Sequence, residues 1–210
     1  MAGTFILGET KVRPGTYFNI QKKGGNATAG VMNGVTAVIF RADFGPLNEA
    51  IELSAEDGYE GTFGIALTTD AMKEAIAGGA KTIIACRVGN GGTQGSIKLQ
   101  DSEATDAVSI TAKYPGAKDF VVTVREKLSD STLKECIFYA GTTEFEKVEF
   151  AAGTDEANAL VDALASSKNF KAEVIKSGTV TLQNVSQSQF TKGTDPQVTN
   201  GDYSNAFKQV

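Results

Sequence analysis

"TDAMKEAIAGGAKTIIACRVGNGGTQG", Thr69–Gly95, decides how the chain is organised. Thr69 or Asp70 supplies an N-cap, Met72, Ala75 and Ile76 recur at helical spacing, and Gly78-Gly79 stops the helix. The continuous run "TIIAC" then reads as a strand covered on both faces, the pattern of a layered α/β unit. Gly89, Gly91, Gly92 and Gly95 follow in close order, and beyond them the apolar pattern changes to alternation. A boundary between two kinds of architecture falls there, with "GNGGTQG" as an interdomain hinge.

Downstream, "SIKLQD", "AVSITAKY", "DFVVTVREK", "LKECIFYAG" and "EKVEFAAG" alternate apolar with polar residues and are separated by turns, including Pro115-Gly116. That alternation predicts an antiparallel sheet with one wet face. "GTDEANALVDALASSKNF" offers Thr154 or Asp155 as N-cap and aligns Ala157, Leu160, Val161 and Leu164, so an amphipathic helix packs on the sheet. "FKAEVIK" and "TVTLQNVSQSQF" close the unit as strands, giving an α+β body over Ser96–Thr191. Upstream, "VTAVIF" is a strand, Gly45-Pro46 punctuates the chain, and "AIELS" is a short extended segment. At the other end "KGTDPQVTNGDYSNAFKQV" turns at Asp195-Pro196, and Asn200–Asp202 introduce "YSNAFKQV", which starts like a helix. Two turns of helix do not stand alone in water, so further residues beyond Val210 or a partner is expected to order that end.

Composition removes several function classes. Net charge is −5 with a pI near 4.9 over 210 residues, which argues against direct binding to nucleic acid. Histidine is absent, so neither a Ser-His-Asp nor a Cys-His site can be built. The first residues, "MAGTFILGETK", lack the apolar core of an export signal, and the longest apolar runs, such as "VTAVIF", are far shorter than the roughly 20 residues of a membrane span. Cys86 and Cys136 sit in separate apolar strand-like runs and read as buried free thiols. "GNGGTQG" follows a strand but opens neither a helix nor a Lys-Ser/Thr pair, and "GGAKT" at Gly78–Thr82 runs helix-to-strand, opposite to a phosphate loop. "DSEATD", Asp101–Asp106, lacks the glycine and closing glutamate of a calcium loop and reads as a solvated turn. Lys81 and Arg87 flank the buried strand as weak anion-ligand candidates, and the carboxylates Asp43, Glu49 and Asp70 show no paired spacing. No catalytic, cofactor-binding or metal-binding residue is therefore expected, and no cofactor.

"KVRPGTYFNI", Lys11–Ile20, is a strand-like segment close to the start of the sequence with no local partner. Its backbone groups need pairing. Tyr17 and Phe18 are either anchors in their own core or, because Arg13-Pro14-Gly15 precedes them and a glycine-rich stretch follows, part of a strand that swings out to a neighbour's sheet edge.

Taken together, "KVRPGTYFNI", "FGP" at Phe44–Pro46, "AKYPGAKDFVVTV" at Ala112–Val124 and "KGTDPQVTNGDY" at Lys192–Tyr203 resemble, in order and spacing, the tail sheath proteins of contractile phages (myoviruses), defective prophages and R-type bacteriocins. The family's motif continues after "YPG" with a Gly-Asn pair, where this sequence has Ala117-Lys118-Asp119-Phe120. The resemblance implies a layered α/β core domain with an inserted, mainly antiparallel β domain carrying one helix, and an extended N-terminal arm. The corresponding boundaries are 1–24 for the arm and linker, 25–92 with 192–210 for a core incomplete at its C-terminus, and 96–191 for the inserted outer domain. It further implies a non-enzymatic structural subunit that stacks as hexameric rings around a tail tube and contracts to drive the tube into the target cell. The arm residues linking subunits are then Val12, Arg13, Pro14, Gly15, Tyr17, Phe18 and Ile20. Implied partners are other sheath subunits, the tail tube protein, and baseplate and tail terminator proteins. No nucleic acid or membrane is implied, and the place is the tail of a virion or phage-like particle assembled in the host cytoplasm. A non-catalytic binding or surface-recognition module of such a particle is the alternative reading.

Overall fold

The structure, a computed structural model, describes residues 34–55, 59–65, 67 and 71–208. The expected arm lies outside these residues.

Strand β1 (Val35–Phe40) is built from β-branched and aromatic residues and is followed by β2 (Ala50–Ser54), two short helices, α1 (Glu60–Phe63) and α2 (Ala71–Ala77), and β3 (Thr82–Arg87). The three strands form one sheet in the order β1-β3-β2, with β1 parallel and β2 antiparallel to β3. Val38, Phe40, Ile83 and Ala85 pack one face against Tyr59, Phe63 and Met72. On the other face Cys86 and Val88 meet Ala206 of a C-terminal helix, joined by Ile39 and Tyr203. β3 is thus covered on both sides, which is why "TIIAC" shows no alternation. Gly78 and Gly79 end α2 through bonds to Glu74 O and Ile76 O.

After β3 come β4 (Ser96–Gln100), β5 (Asp106–Ala112), β6 (Phe120–Lys127), β7 (Asp130–Ala140), β8 (Thr143–Ala151), α3 (Glu156–Ala165), β9 (Phe170–Val174) and β10 (Val185–Gln189). The single sheet expected from alternation is in fact two antiparallel sheets, β4-β5-β9 and β10-β6-β7-β8. Alternation reports which side of a strand is buried; it carries no information on which strand lies alongside. Leu99, Val108 and Ile110 from one sheet, Val122, Val124 and Phe138 from the other, and Leu160 and Leu164 of α3 share one core. Phe138 and Phe170 stack inside it with centroids 3.9 Å apart. Lys134 is buried there with its ammonium 2.8 Å from Glu156 Oε2 and 2.8 Å from Leu182 O, tying β7 to α3 and to the segment before β10.

The chain returns along its own outward path. Asn90 bridges Gln197, Thr93 bridges Thr194 and Ser96 bridges Thr191, all antiparallel, so "GNGGTQG" is one side of a hydrogen-bonded ribbon rather than a free hinge. Glycine density suggested slack, but the returning segment pairs with this backbone. α4 (Asn200–Ala206) follows and begins ahead of the expected "YSNAF", because Asp202 Oδ2 accepts bonds from both the Thr199 N–H and its hydroxyl. The described chain is mixed α/β, with mostly antiparallel strands and four helices.

Candidate functional site

The arm residues Val12, Arg13, Pro14, Gly15, Tyr17, Phe18 and Ile20 lie outside the described residues. What the structure brings together instead is the other three motifs, "FGP", "YPG" and "KGTD", at one joint between the three-stranded sheet and the two-sheet body.

The turn after β1 leaves the small sheet at Ala42 and inserts Phe44 into the core of the body, where its ring meets Tyr114 at 5.5 Å, Phe120 at 5.0 Å and Phe145 at 5.8 Å, all edge-to-face. Arg87, the last residue of β3, lies beneath that turn and is 1% exposed. Its Nε donates to Ala42 O at 3.0 Å and its Nη1 to Gly45 O at 2.8 Å, so one planar guanidinium holds both ends of the turn. Nη2 is buried without a hydrogen-bond partner among the described residues. Pro115-Gly116 packs against the same turn; a Cβ on Gly116 would overlap Asp43 O, and one on Gly193 would overlap Thr93 O and Gly116 O. Only glycine permits these backbones to cross so closely. Ala117 N donates to Asp195 Oδ1 at 2.9 Å and Gly116 N to Thr93 O at 3.1 Å, which closes the joint across all three motifs.

The charges at the joint are mutually compensating. Burial pulls the Arg87 guanidinium down to about 10, opposed by the Asp195 and Asp43 carboxylates, so it stays charged at neutral pH. Burial pushes the Asp43 carboxyl up, opposed by the Ile65 N–H at 2.7 Å and by Lys118 at 3.8 Å. Lys118 also lies 5.6 Å from the centre of the Phe145 ring. A cleft of about 640 Å3 beside the joint is lined by Tyr59, Ile65, Ile76, Lys118 and Phe145, and at its rim Lys73 lies 3.3 Å from Glu60. Its two lysines each sit beside a carboxylate, Lys73 by Glu60 and Lys118 by Asp43.

Other residues singled out in the sequence are dispersed. Asp101 caps its own turn through bonds from Glu103 N and Thr105 N and pairs with Lys176, and Asp106 pairs with Lys98 at 2.8 Å. Among the described residues no group of three His, Cys, Asp or Glu side chains could hold a metal ion, and no helix is long and apolar enough to cross a membrane. Lys81 and Glu49 are exposed, and Asp70 lies outside the described residues. Cys86 and Cys136 are free and buried. Sequence reasoning weighed Arg87 only as an anion ligand; its place next to four apolar or small residues, "IIAC", was the available sign of burial.

A second feature is the free edge of β1, which has a ladder partner only on its β3 side among the described residues. A groove of about 600 Å3 runs along it, walled by Ala71 and Ala75 of α2 and by Tyr203 and the 70%-exposed Phe207 after α4.

Two solved structures resemble the chain in fold. A sheath tail protein from Listeria innocua matches with a TM-score of 0.62 and 25% identity, over 84% of this chain and 37% of that one. The fold is sheath-like. A sheath tail protein from Desulfitobacterium hafniense matches with a TM-score of 0.58 and 20% identity, over 92% of this chain and 42% of that one. An uncharacterized protein of Bacillus subtilis (strain 168), YqbK, is 25% identical over 154 residues, 69% of this chain and 31% of its own length. No protein-family model matches the chain. The sheath-like chain therefore spans less than half the length of each of these three proteins.

Proposed function

We propose that this chain is a structural subunit of a contractile tail sheath, which stacks with its copies as hexameric rings around a tail tube and contracts to drive the tube into a target cell. The observation that carries the reading is that both solved structures, matched over 84% and 92% of the chain, are sheath tail proteins. Residues 25–92 with 192–210 form the core in this reading, 96–191 the inserted outer domain, and 1–24 the arm. The subunit does no catalysis and takes no cofactor; its partners are its own copies, the tube, and the baseplate and terminator proteins of a virion or phage-like particle.

The arm works by strand addition. Among the described edges, β1 suits the segment Thr16–Ile20 of a second copy, because apolar walls rise on both of its faces and would bury Tyr17, Phe18 and Ile20. The other edges are defended by polar or charged residues: Glu52 on β2, Lys98 on β4, Lys147 and Glu149 on β8, Lys171 and Glu173 on β9, and the bulged, polar β10. One arm contributes modestly, and repetition through closed rings multiplies it.

Negative-stain microscopy of particles from the native operon tests the class: sheaths or polysheaths are expected, and strictly monodisperse monomers from a verified complete chain would overturn it. Tyr17→Asp with Phe18→Asp tests the arm, with assembly lost while the subunit keeps its circular dichroism. Saturable surface binding by monomers, without assembly, favours the recognition-module alternative.

A further inference from the structure

We propose that Phe44 and Arg87 form a plug and latch that fix the orientation of the two-sheet body on the three-stranded sheet. This inference does not depend on the sheath reading.

Two chain segments, 90–96 and 191–197, join the two parts, and they pair with each other through three bridges and the Thr93–Thr194 side-chain contacts. A two-stranded ribbon is marginal by itself and bends and twists readily. The orientation is then held beside the ribbon, where Gly116 crosses Asp43 O and Lys118 lies 3.8 Å from Asp43, and above all where Phe44 and Arg87 engage both parts. Phe44 belongs by sequence to the turn after β1, yet it is 1% exposed inside the core of the body and contacts residues from three different stretches of it, Tyr114, Phe120 and Phe145. A tilt of the body about the ribbon has to withdraw that ring. The turn cannot yield to follow, because Arg87 grips its two ends, Ala42 O and Gly45 O, from the central strand of the small sheet. A buried guanidinium with one nitrogen lacking a hydrogen-bond partner among the described residues is costly, and an apolar residue at the end of β3 would avoid that cost. Its geometry is matched to the turn, which assigns Arg87 the task of positioning.

The experiment measures the distance between spin labels on the full chain, one at Leu128→Cys and one at Ala77→Cys. Leu128 is 95% exposed at the turn between β6 and β7, and Ala77 is exposed at the end of α2. Cys86 and Cys136 are buried and escape labelling in the folded protein. Four backgrounds are compared: unaltered, Phe44→Ala, Arg87→Gln, and Leu160→Ala, which damages the same body core from α3, on another element than the joint. The unaltered and Leu160→Ala proteins are expected to give one narrow distribution, and the two joint variants a distribution about twofold wider, as for modules lacking a firm interface. Equal widths in all four backgrounds, a broad distribution in the unaltered protein, or equal broadening by Leu160→Ala each overturn the proposal. Phe44→Leu and Arg87→Lys replace any joint variant that lacks native circular dichroism. Leu keeps the core filled but loses the ring edges, and Lys keeps the charge but loses the fork, so the same expected and overturning outcomes apply to them.

Discussion

At the scale of single residues, the chain concentrates its costs in a few buried charges. Lys134 and Glu156 are 7% and 3% exposed, and each also bonds backbone, so Lys134→Met strands a carboxylate in the core. We expect a loss of about 3–5 kcal/mol in urea unfolding. Two aspartates respond to acid in opposite senses. The Lys176 ammonium, with the Thr105 and Glu103 N–H groups, holds the Asp101 carboxyl below its ordinary 3.8. The unfolded chain then binds more protons than the native one between the two values, so this stabilisation is present above 3.8 and is lost as pH falls through the depressed native value. Asp101→Asn is therefore expected to be less stable than the unaltered protein at neutral pH, with the gap closing in acid. Asp43, raised by burial, contributes below 3.8 and loses that contribution as pH rises through its raised value. The stability of Asp43→Asn relative to the unaltered protein should accordingly rise over that window, and pH-resolved denaturation curves check both signs. Burial raises both the Cys86 and Cys136 thiols, so neither should react with a thiol reagent until the chain unfolds.

Among elements, legibility in the sequence follows how local the determinant is. Strands β4, β5 and β8 were readable from alternation, β6 and β7 from apolar β-branched and aromatic runs whose middles are buried on both faces, and α3 because Ala157, Leu160 and Leu164 repeat on one face. α1 was not readable: "EGTF" is one turn, too short for any period, and forms because Phe63 is wholly buried beside Phe40 at 5.1 Å. The division of the strands into two sheets was equally invisible, since pairing of β5 with β9 is decided by packing across more than fifty intervening residues. The joint was half legible. Its motifs stood out by composition, but nothing local shows that Gly116 faces Asp43 O or that Arg87 reaches Ala42 O. Hydrogen exchange is expected to rank the elements: amides of Val122, Val124, Cys136 and Phe138, central in the four-stranded sheet, should exchange slowest. β10 should exchange first, as its ladder is broken between Val185 and Ser188 and Gln187 has φ 49°.

For the whole molecule, the two cores are coupled through the joint, and residues 34 to 210 form one compact unit. Calorimetry of the unaltered protein should show a single transition. Gly116→Val forces a side chain against Asp43 O, and we expect it to cost about 1–3 kcal/mol and to divide melting into two steps. A last consequence concerns how such a chain can be remodelled. Because Asn90 and Gln197 face each other across a rung, the departure and return points are close enough for a two-residue β-turn to span. A shortcut across that rung would leave β1, β2 and β3 in order while stripping Phe44 of the aromatic socket that surrounds it, so a trimmed chain needs a polar residue at position 44 to keep that ring out of water.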